Sequence, residues 1–325
     1  MSVGTPIAAG AIAPIQPPPP PIVAPPADAP HNTEGYDHIQ ENEFIAVADK
    51  PLSTFSIDVD TASYSNVRRF LNSGQLPPAD AVRVEEMINY FSYTYSEPRG
   101  RTPFSVNTEV ADCPWNPDHR LVHVGVKGKT VTVVPPRNLV FLIDVSGSME
   151  SADKLPMLKR AMRKLVRQLG PRDRVSIVVY AGASGVVLNP TSGANNLKIN
   201  AALARLKAGG STNGGQGIQL AYDLARKTFK KGGINRVILA TDGDFNVGIS
   251  SRGELERLIE RERESGVYLT VLGFGTGNVK DSQMEMLADK GNGNYAYIDS
   301  DRESQKVLVD ELGATLVTIA KDVKI

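Results

Sequence analysis

Two uninterrupted apolar runs organise the chain. Residues 139–143 read Leu-Val-Phe-Leu-Ile, and residues 237–240 read Val-Ile-Leu-Ala. Runs this short, rich in branched side chains and without a polar member, predict strands buried on both faces. Each ends in a polar loop: Asp144, Ser146, Gly147 and Ser148 after the first, Thr241, Asp242, Gly243 and Asp244 after the second. Further strands are predicted at 174–180, 267–274 and 294–298, with a short edge or antiparallel strand at 185–188. Apolar residues at helical spacing predict helices at 154–169, 195–206, 213–229, 254–264 and 282–290. A last continuous helix over 303–320 carries Leu308, Leu312, Leu316 and Ile319. Strands alternating with helices imply an α/β architecture, a doubly wound and mostly parallel sheet over residues 135–320.

The first third of the chain has a different texture. Residues 1–33 are rich in proline and alanine, with a proline run at 17–21, and predict an extended, unpacked tether. Residues 34–134 predict a smaller N-terminal α+β companion domain. An alternating strand at 54–60 leads to a helix whose Tyr64, Val67 and Leu71 share one side and which stops at Gly74. Asp80 is placed to cap a second helix, 81–91, with Val84, Met87, Ile88 and Phe91 as its apolar side. Two strands, 104–110 and 121–127, are joined through Cys113-Pro114-Trp115-Asn116-Pro117. Val134-Pro135-Pro136 is a short, stiff link to the larger domain. Residues 321–325 look like the start of a strand, and are read as the start of a truncated C-terminal region.

Composition narrows the function classes. Lysine plus arginine and aspartate plus glutamate both number 36, a balance that gives no electrostatic case for nucleic acid or an anionic membrane. The basic residues of the 154–169 helix (Lys159, Arg160, Arg163, Lys164, Arg167) fall opposite its apolar stripe, as on a solvated face. One cysteine excludes an intrachain disulfide and the cysteine spacing of zinc sites. No apolar run is long enough to cross a bilayer.

Asp144, Ser146 and Ser148 stand at alternate positions beyond a strand end, where open α/β sheets place their ligands. A second glycine-dense loop, 209–215, holds Thr212, and the third loop holds Asp242. Together they spell D-x-S-x-S, a threonine, and T-D-G. This pattern resembles the metal-ion-dependent adhesion site of von Willebrand factor type A domains, and the resemblance covers roughly 136–319. It implies a Rossmann-like fold and a divalent cation, Mg²⁺ with Mn²⁺ or Ca²⁺ as alternatives, held by Asp144, Ser146, Ser148, Thr212 and Asp242. All five offer the hard oxygens such ions take. It further implies a protein partner whose aspartate or glutamate carboxylate completes the cation's shell. The segments FSIDVDTASYSNVRRFL, VRVEEMINYF and CPWNP resemble the N-terminal region of a bacterial, YfbK-like group of such proteins. That group and the proline-rich start suggest the cell envelope or periplasm, although no secretory signal with a basic start is visible.

Other readings of these residues stay open. The 144–148 loop also reads as a polar turn in which Ser148 or Ser151 caps the next helix. Asp144 could accept a phosphoryl group beside Mg²⁺, but such a phosphatase wants an acid two residues on, where Ser146 stands. A metal-free scaffold is the third reading. No nucleotide loop of the G-x-G-x-x-G or G-x-x-x-x-G-K-[ST] type occurs, and Ser184 lacks the second glycine of a G-x-S-x-G elbow. In the segment Asp58-Val59-Asp60-Thr61, Ala62 spoils a dehalogenase-type phosphotransfer loop. Asp58 and Asp60 could hold a second ion, but Asp60 or Thr61 as a helix cap is the favoured reading.

Overall fold

The computed structural model describes residues 33–52, 59–210, 214–243, 252–320 and 323. The predicted strand at 54–60 therefore lies largely outside the described residues, as do Asp58, Thr212 and most of 321–325.

In chain order the N-terminal segment contributes α1 (Ala62–Asn72), α2 (Val84–Asn89), β1 (Phe104–Asp112) and β2 (Arg120–Gly128). Then follow β3 (Arg137–Asp144), α3 (Leu155–Val166), β4 (Arg174–Ala181), β5 (Ala183–Ser192), α4 (Asn196–Arg205), α5 (Gly214–Lys227), β6 (Ile234–Thr241), α6 (Arg252–Glu264), β7 (Tyr268–Phe274), α7 (Asp281–Lys290), β8 (Tyr295–Ile298), α8 (Asp301–Gln305) and α9 (Leu312–Leu316). Six strands form one sheet in the order β5-β4-β3-β6-β7-β8, all parallel except β5, which runs antiparallel at the edge as its sequence predicts. The two apolar runs become its central pair, β3 and β6, and every residue of β6 is buried.

The sheet's pleat divides the interior in two. Leu139, Phe141 and Ile143 face a core with α3, α4, Leu308 and Leu316. Val140 and Leu142 face the other, with α5, α6 and α7. This is why the runs 139–143 and 237–240 at the centre of these strands lack polar positions: neither face meets water.

β1 and β2 pair antiparallel from Phe104 opposite Gly128 to Asp112 opposite Arg120, and the hairpin turns at the buried Cys113. The two helices before it depart from the sequence expectation. α1 buries Ala62, Ser63, Ser65, Asn66 and Phe70, while Leu71 of the expected apolar side is exposed. α2 buries Glu86 and leaves Val84 and Ile88 exposed. The cause is a network of buried charges. Arg83 ion-pairs Glu86 and Asp281, and Glu86 accepts the Ser63 N–H at 2.8 Å. Asp281 also accepts from Asn66 (3.1 Å) and the Tyr295 hydroxyl (2.9 Å). A second knot ties Arg68 to Asp299 (2.6 Å) and Glu303 (2.8 Å), joining α1 to the start of α8.

The expected side-chain caps are not made. Neither Asp60 nor Thr61 caps α1 with its side chain; Asp60 accepts the Tyr295 N–H at 3.0 Å, and Glu86 takes the end of α1. Asp80 sits in a short turn and accepts the Ile39 N–H at 3.2 Å instead of capping α2. The basic side of α3 is not a plain solvated face either: Arg160 pairs with Asp301 (3.3 Å), and Lys164 donates to Ser304 (2.9 Å). The last helix is not continuous. A π-turn over Lys306–Asp310 separates α8 from α9. The wider turn changes the phase of the apolar spacing, with Leu308 and Leu316 both still buried. From Asn32 onward the chain forms one compact unit.

Candidate metal centre

β3, flanked by β4 and β6, carries the candidate site at its carboxyl end. The sheet register sets Tyr180 of β4 opposite Asp144 and Ala240 of β6 opposite Ile143. Three strand ends therefore deliver Asp144, Tyr180, Thr241 and Asp242 to one crevice, the switch point at which such sheets hold ligands.

Asp144 is fully buried. Its Oδ1 accepts the Ser146 N–H at 2.8 Å, and its Oδ2 accepts the hydroxyls of Thr241 (3.1 Å) and Tyr180 (3.2 Å). The Oγ atoms of Ser146 and Ser148 lie 3.0 Å apart. The loop they sit on is pinned: Val145 N–H donates to the Tyr180 carbonyl, Gly147 N–H to the Gly210 carbonyl (3.1 Å), and Gly209 N–H to the Val145 carbonyl (2.8 Å). That register brings the loop holding 209–210 against the serine loop. Ser148 and Ser151 make no side-chain cap to α3.

Asp242, also fully buried, is met by a cation from within the protein. Lys154 Nζ stands 3.0 Å from its Oδ2 and 2.8 Å from Asn278 Oδ1. Gly243 follows with φ at +102°, and a Cβ there would come within 2.5 Å of the Lys280 nitrogen, so this turn requires glycine.

The two carboxyls are tuned in opposite directions. Burial raises Asp144 to about 6, and the charge of Asp242 adds to the rise against the lowering hydrogen bonds from Ser146 and Thr241. Burial also acts to raise Asp242, but hydrogen bonds from Asn278 and Ser148 and the charge of Lys154 outweigh it and hold that carboxyl below its ordinary value. Asp242 is therefore the stronger acid of the pair, and with Asp144 near 6 both carboxyls are mostly ionised at neutral pH.

The donors fit a hard divalent cation. All are oxygens, two are carboxylates, and neighbouring ligands of an octahedron with Mg²⁺ bond lengths stand about 2.9 Å apart, close to the serine pair. Among the described residues no larger cluster of His, Cys, Asp or Glu side chains offers a competing site. The structure brings together Asp144, Ser146, Ser148 and Asp242 of the sequence-predicted set, whereas Thr212 lies outside the described residues. Lys154, Tyr180, Thr241 and Asn278 were not anticipated. Thr241 alone had a local signal, the T-D-G triplet.

Residues 138–311, more than half of the chain, match the von Willebrand factor type A domain. The chain belongs to that family. A second match, described as von Willebrand factor, covers residues 30–123 of the segment before the type A domain. Over 301 residues the chain is 49% identical to YfbK of Escherichia coli (strain K12), covering 90% of this chain and 52% of YfbK. It thus spans about half the length of that relative. It is also 33% identical over 184 residues to human inter-alpha-trypsin inhibitor heavy chain H4, covering 54% of this chain and 20% of the other. Among solved structures it is similar to a von Willebrand factor type A protein from Catenulispora acidiphila, at 19% identity and a TM-score of 0.48, covering 65% of this chain and 48% of that one. No described helix of this type A protein is long and apolar enough to cross a membrane.

Proposed function

We propose that the type A domain is a protein-binding module whose grip depends on a divalent cation. Asp144, Ser146, Ser148 and Asp242 would hold the ion, with Thr212 joining them from the glycine-rich loop as the family resemblance implies. The observation that carries this reading is the convergence of two carboxylates and two serine hydroxyls at the ends of β3 and β6, with the serine oxygens 3.0 Å apart. A cation with so few anionic ligands supplies an electrophilic position open to an outside carboxylate, and an aspartate or glutamate on a partner protein has that chemistry. Mg²⁺ suits the donor set; Mn²⁺ and Ca²⁺ take the same oxygens.

The chain's own residues perform the positioning. Tyr180 and Thr241 hold Asp144 in place, and the backbone bonds from Gly147 and Gly209 fix the loop that presents the serines. We assign the site no catalytic role: where a phosphoryl acceptor would have an acid two residues away, Ser146 donates its N–H to Asp144. The proline-rich start and the likeness to YfbK favour an envelope protein.

Calorimetric titration of the wild type with Mg²⁺ should show one saturable site, lost in the Ser146→Ala/Ser148→Ala pair. Proteins captured on the immobilised chain in Mg²⁺ should be released by chelator. An absence of heat up to millimolar Mg²⁺, or turnover of phosphoesters that disappears in Asp144→Asn, would sink the proposal. One observation favours a metal-free scaffold as the second reading: Asp242 already has a cationic neighbour in Lys154.

A further inference from the structure

Lys154 has no place in the metal-binding pattern, yet it is built into the site. It immediately precedes α3, its side chain is only 9% exposed, and its ammonium lies between Asp242 Oδ2 (3.0 Å) and Asn278 Oδ1 (2.8 Å). Its methylene stem runs along Gly275, whose φ is +79°. A Cβ at Gly275 would come within 2.2 Å of the Lys154 Cγ, so a glycine keeps the channel open for that stem. Asn278 offers the ammonium a neutral oxygen while its side chain also hydrogen-bonds the Asp242 carboxylate. Strand β6, the 275–278 turn and the start of α3 therefore all contribute to seating one positive charge on Asp242.

We infer that Lys154 is a tethered counter-ion that occupies the Asp242 carboxylate when no metal is bound and is displaced when one binds. This rests on the metal reading above. Two cations compete for one carboxylate, and only one is covalently attached. The tether keeps the metal-free site from facing two buried carboxylates without compensation. It also lowers the apparent affinity for the ion, because the Lys154–Asp242 pair must break first. The site is thereby set to respond to changes in divalent-ion concentration instead of remaining permanently loaded. Lys154 is a positioning residue here, acting through Asp242.

The test is Mg²⁺ titration of wild type and Lys154→Met, which keeps the apolar stem and removes the charge. Hydrogen bonds to charged groups contribute enough that the variant should bind Mg²⁺ about tenfold more tightly. In chelator it should melt below wild type, and its melting point should rise more on adding Mg²⁺. Equal or weaker Mg²⁺ binding by the variant would overturn the inference, because Lys154 would then be supporting the loaded site. A second measurement needs no variant: labelling of the wild type with an amine-reactive reagent, read by mass spectrometry. The Lys154 peptide should be protected in chelator and become reactive in saturating Mg²⁺; unchanged protection overturns displacement. If the wild type shows no Mg²⁺ response, the metal reading fails and the counter-ion role falls with it. A wild-type response without tighter binding by Lys154→Met refutes the counter-ion role alone.

Discussion

Replacing Arg83 with methionine should be among the most damaging single changes outside the sheet. Arg83 is 7% exposed and pairs with three carboxylates: Glu86 and Asp281, both 0% exposed, and the less buried Glu285 at 3.5 Å. Removing one partner of a buried ion pair costs about 3–5 kcal/mol, because the remaining charge is stranded. Here two fully buried carboxylates are stranded besides the part-exposed Glu285, but both keep other donors: Ser63 N–H on Glu86, Asn66 and Tyr295 on Asp281. A loss of about 4 kcal/mol follows, and at about 2–4 °C per kcal/mol the melting temperature should fall by roughly 8–16 °C. The loss should depend on pH. Burial already raises the Glu86 carboxyl despite the opposing charge of Arg83, and the substitution removes that opposition. The folded form then binds a proton more tightly than the unfolded form, so stability declines as pH rises from the ordinary glutamate value towards the raised folded one. Melts at pH 5 and pH 8 should show the larger deficit at pH 8, and Arg83→Met/Glu86→Gln should recover part of it. A fall of under 3 °C, or an equal fall at both pH values, would refute the stranded-charge argument.

Arg236 presents the opposite case. It is 2% exposed on β6, burial pushes its pKa down to about 10, and its one described hydrogen bond goes to the neutral Thr270 hydroxyl. Arg236→Met should be neutral or stabilising by about 1–3 kcal/mol in urea melts, and a clear loss would point to an acidic partner outside the described residues. Gly293→Ala should lose several kcal/mol, since its Cβ would fall 1.5 Å from the Leu269 carbonyl oxygen, whereas Gly313→Ala in α9 meets nothing within 4 Å and should gain about 0.5–1 kcal/mol. Deleting residues 1–30, which carry no periodic apolar face, should leave the melting temperature unchanged, and a drop of several degrees would mean that they dock.

The central sheet was legible because β3 and β6 leave no ambiguity: an unbroken apolar strand needs cover on both faces. The β1–β2 hairpin was legible from its spacing around Cys113. α1 and α2 were read inside out, since periodicity assumes that the apolar stripe faces inward. Arg68 and Arg83 instead find partners 231 and 198 residues away, Glu86 takes the Ser63 N–H of α1, and no local window contains Asp281 or Asp299. The π-turn after α8 has no local marker that the apolar spacing could reveal. At the candidate site, Asp144, Ser146 and Ser148 are a local spacing and were readable. Tyr180 arrives through sheet register, and Lys154 through its approach to Asn278. Local spacing identified possible ligands; the fold supplied the side chains that hold and neutralise them.

The Asp60–Tyr295 hydrogen bond bears on where this protein can be cut. β8 is the last strand of the sheet, and α1 lies against it while Asp60 takes up a backbone N–H on its outer side. A fragment beginning at residue 138, where the type A match begins, would leave that strand with a raw edge open to pairing with any other chain. It would also retain Asp281, Asp299 and Glu303 while discarding Arg68 and Arg83. The extent of the type A match and the unit of folding therefore differ. Material for solution work should begin before Asp60, and a fragment starting at 138 should aggregate because of its ends, even with every residue of the candidate cation site intact.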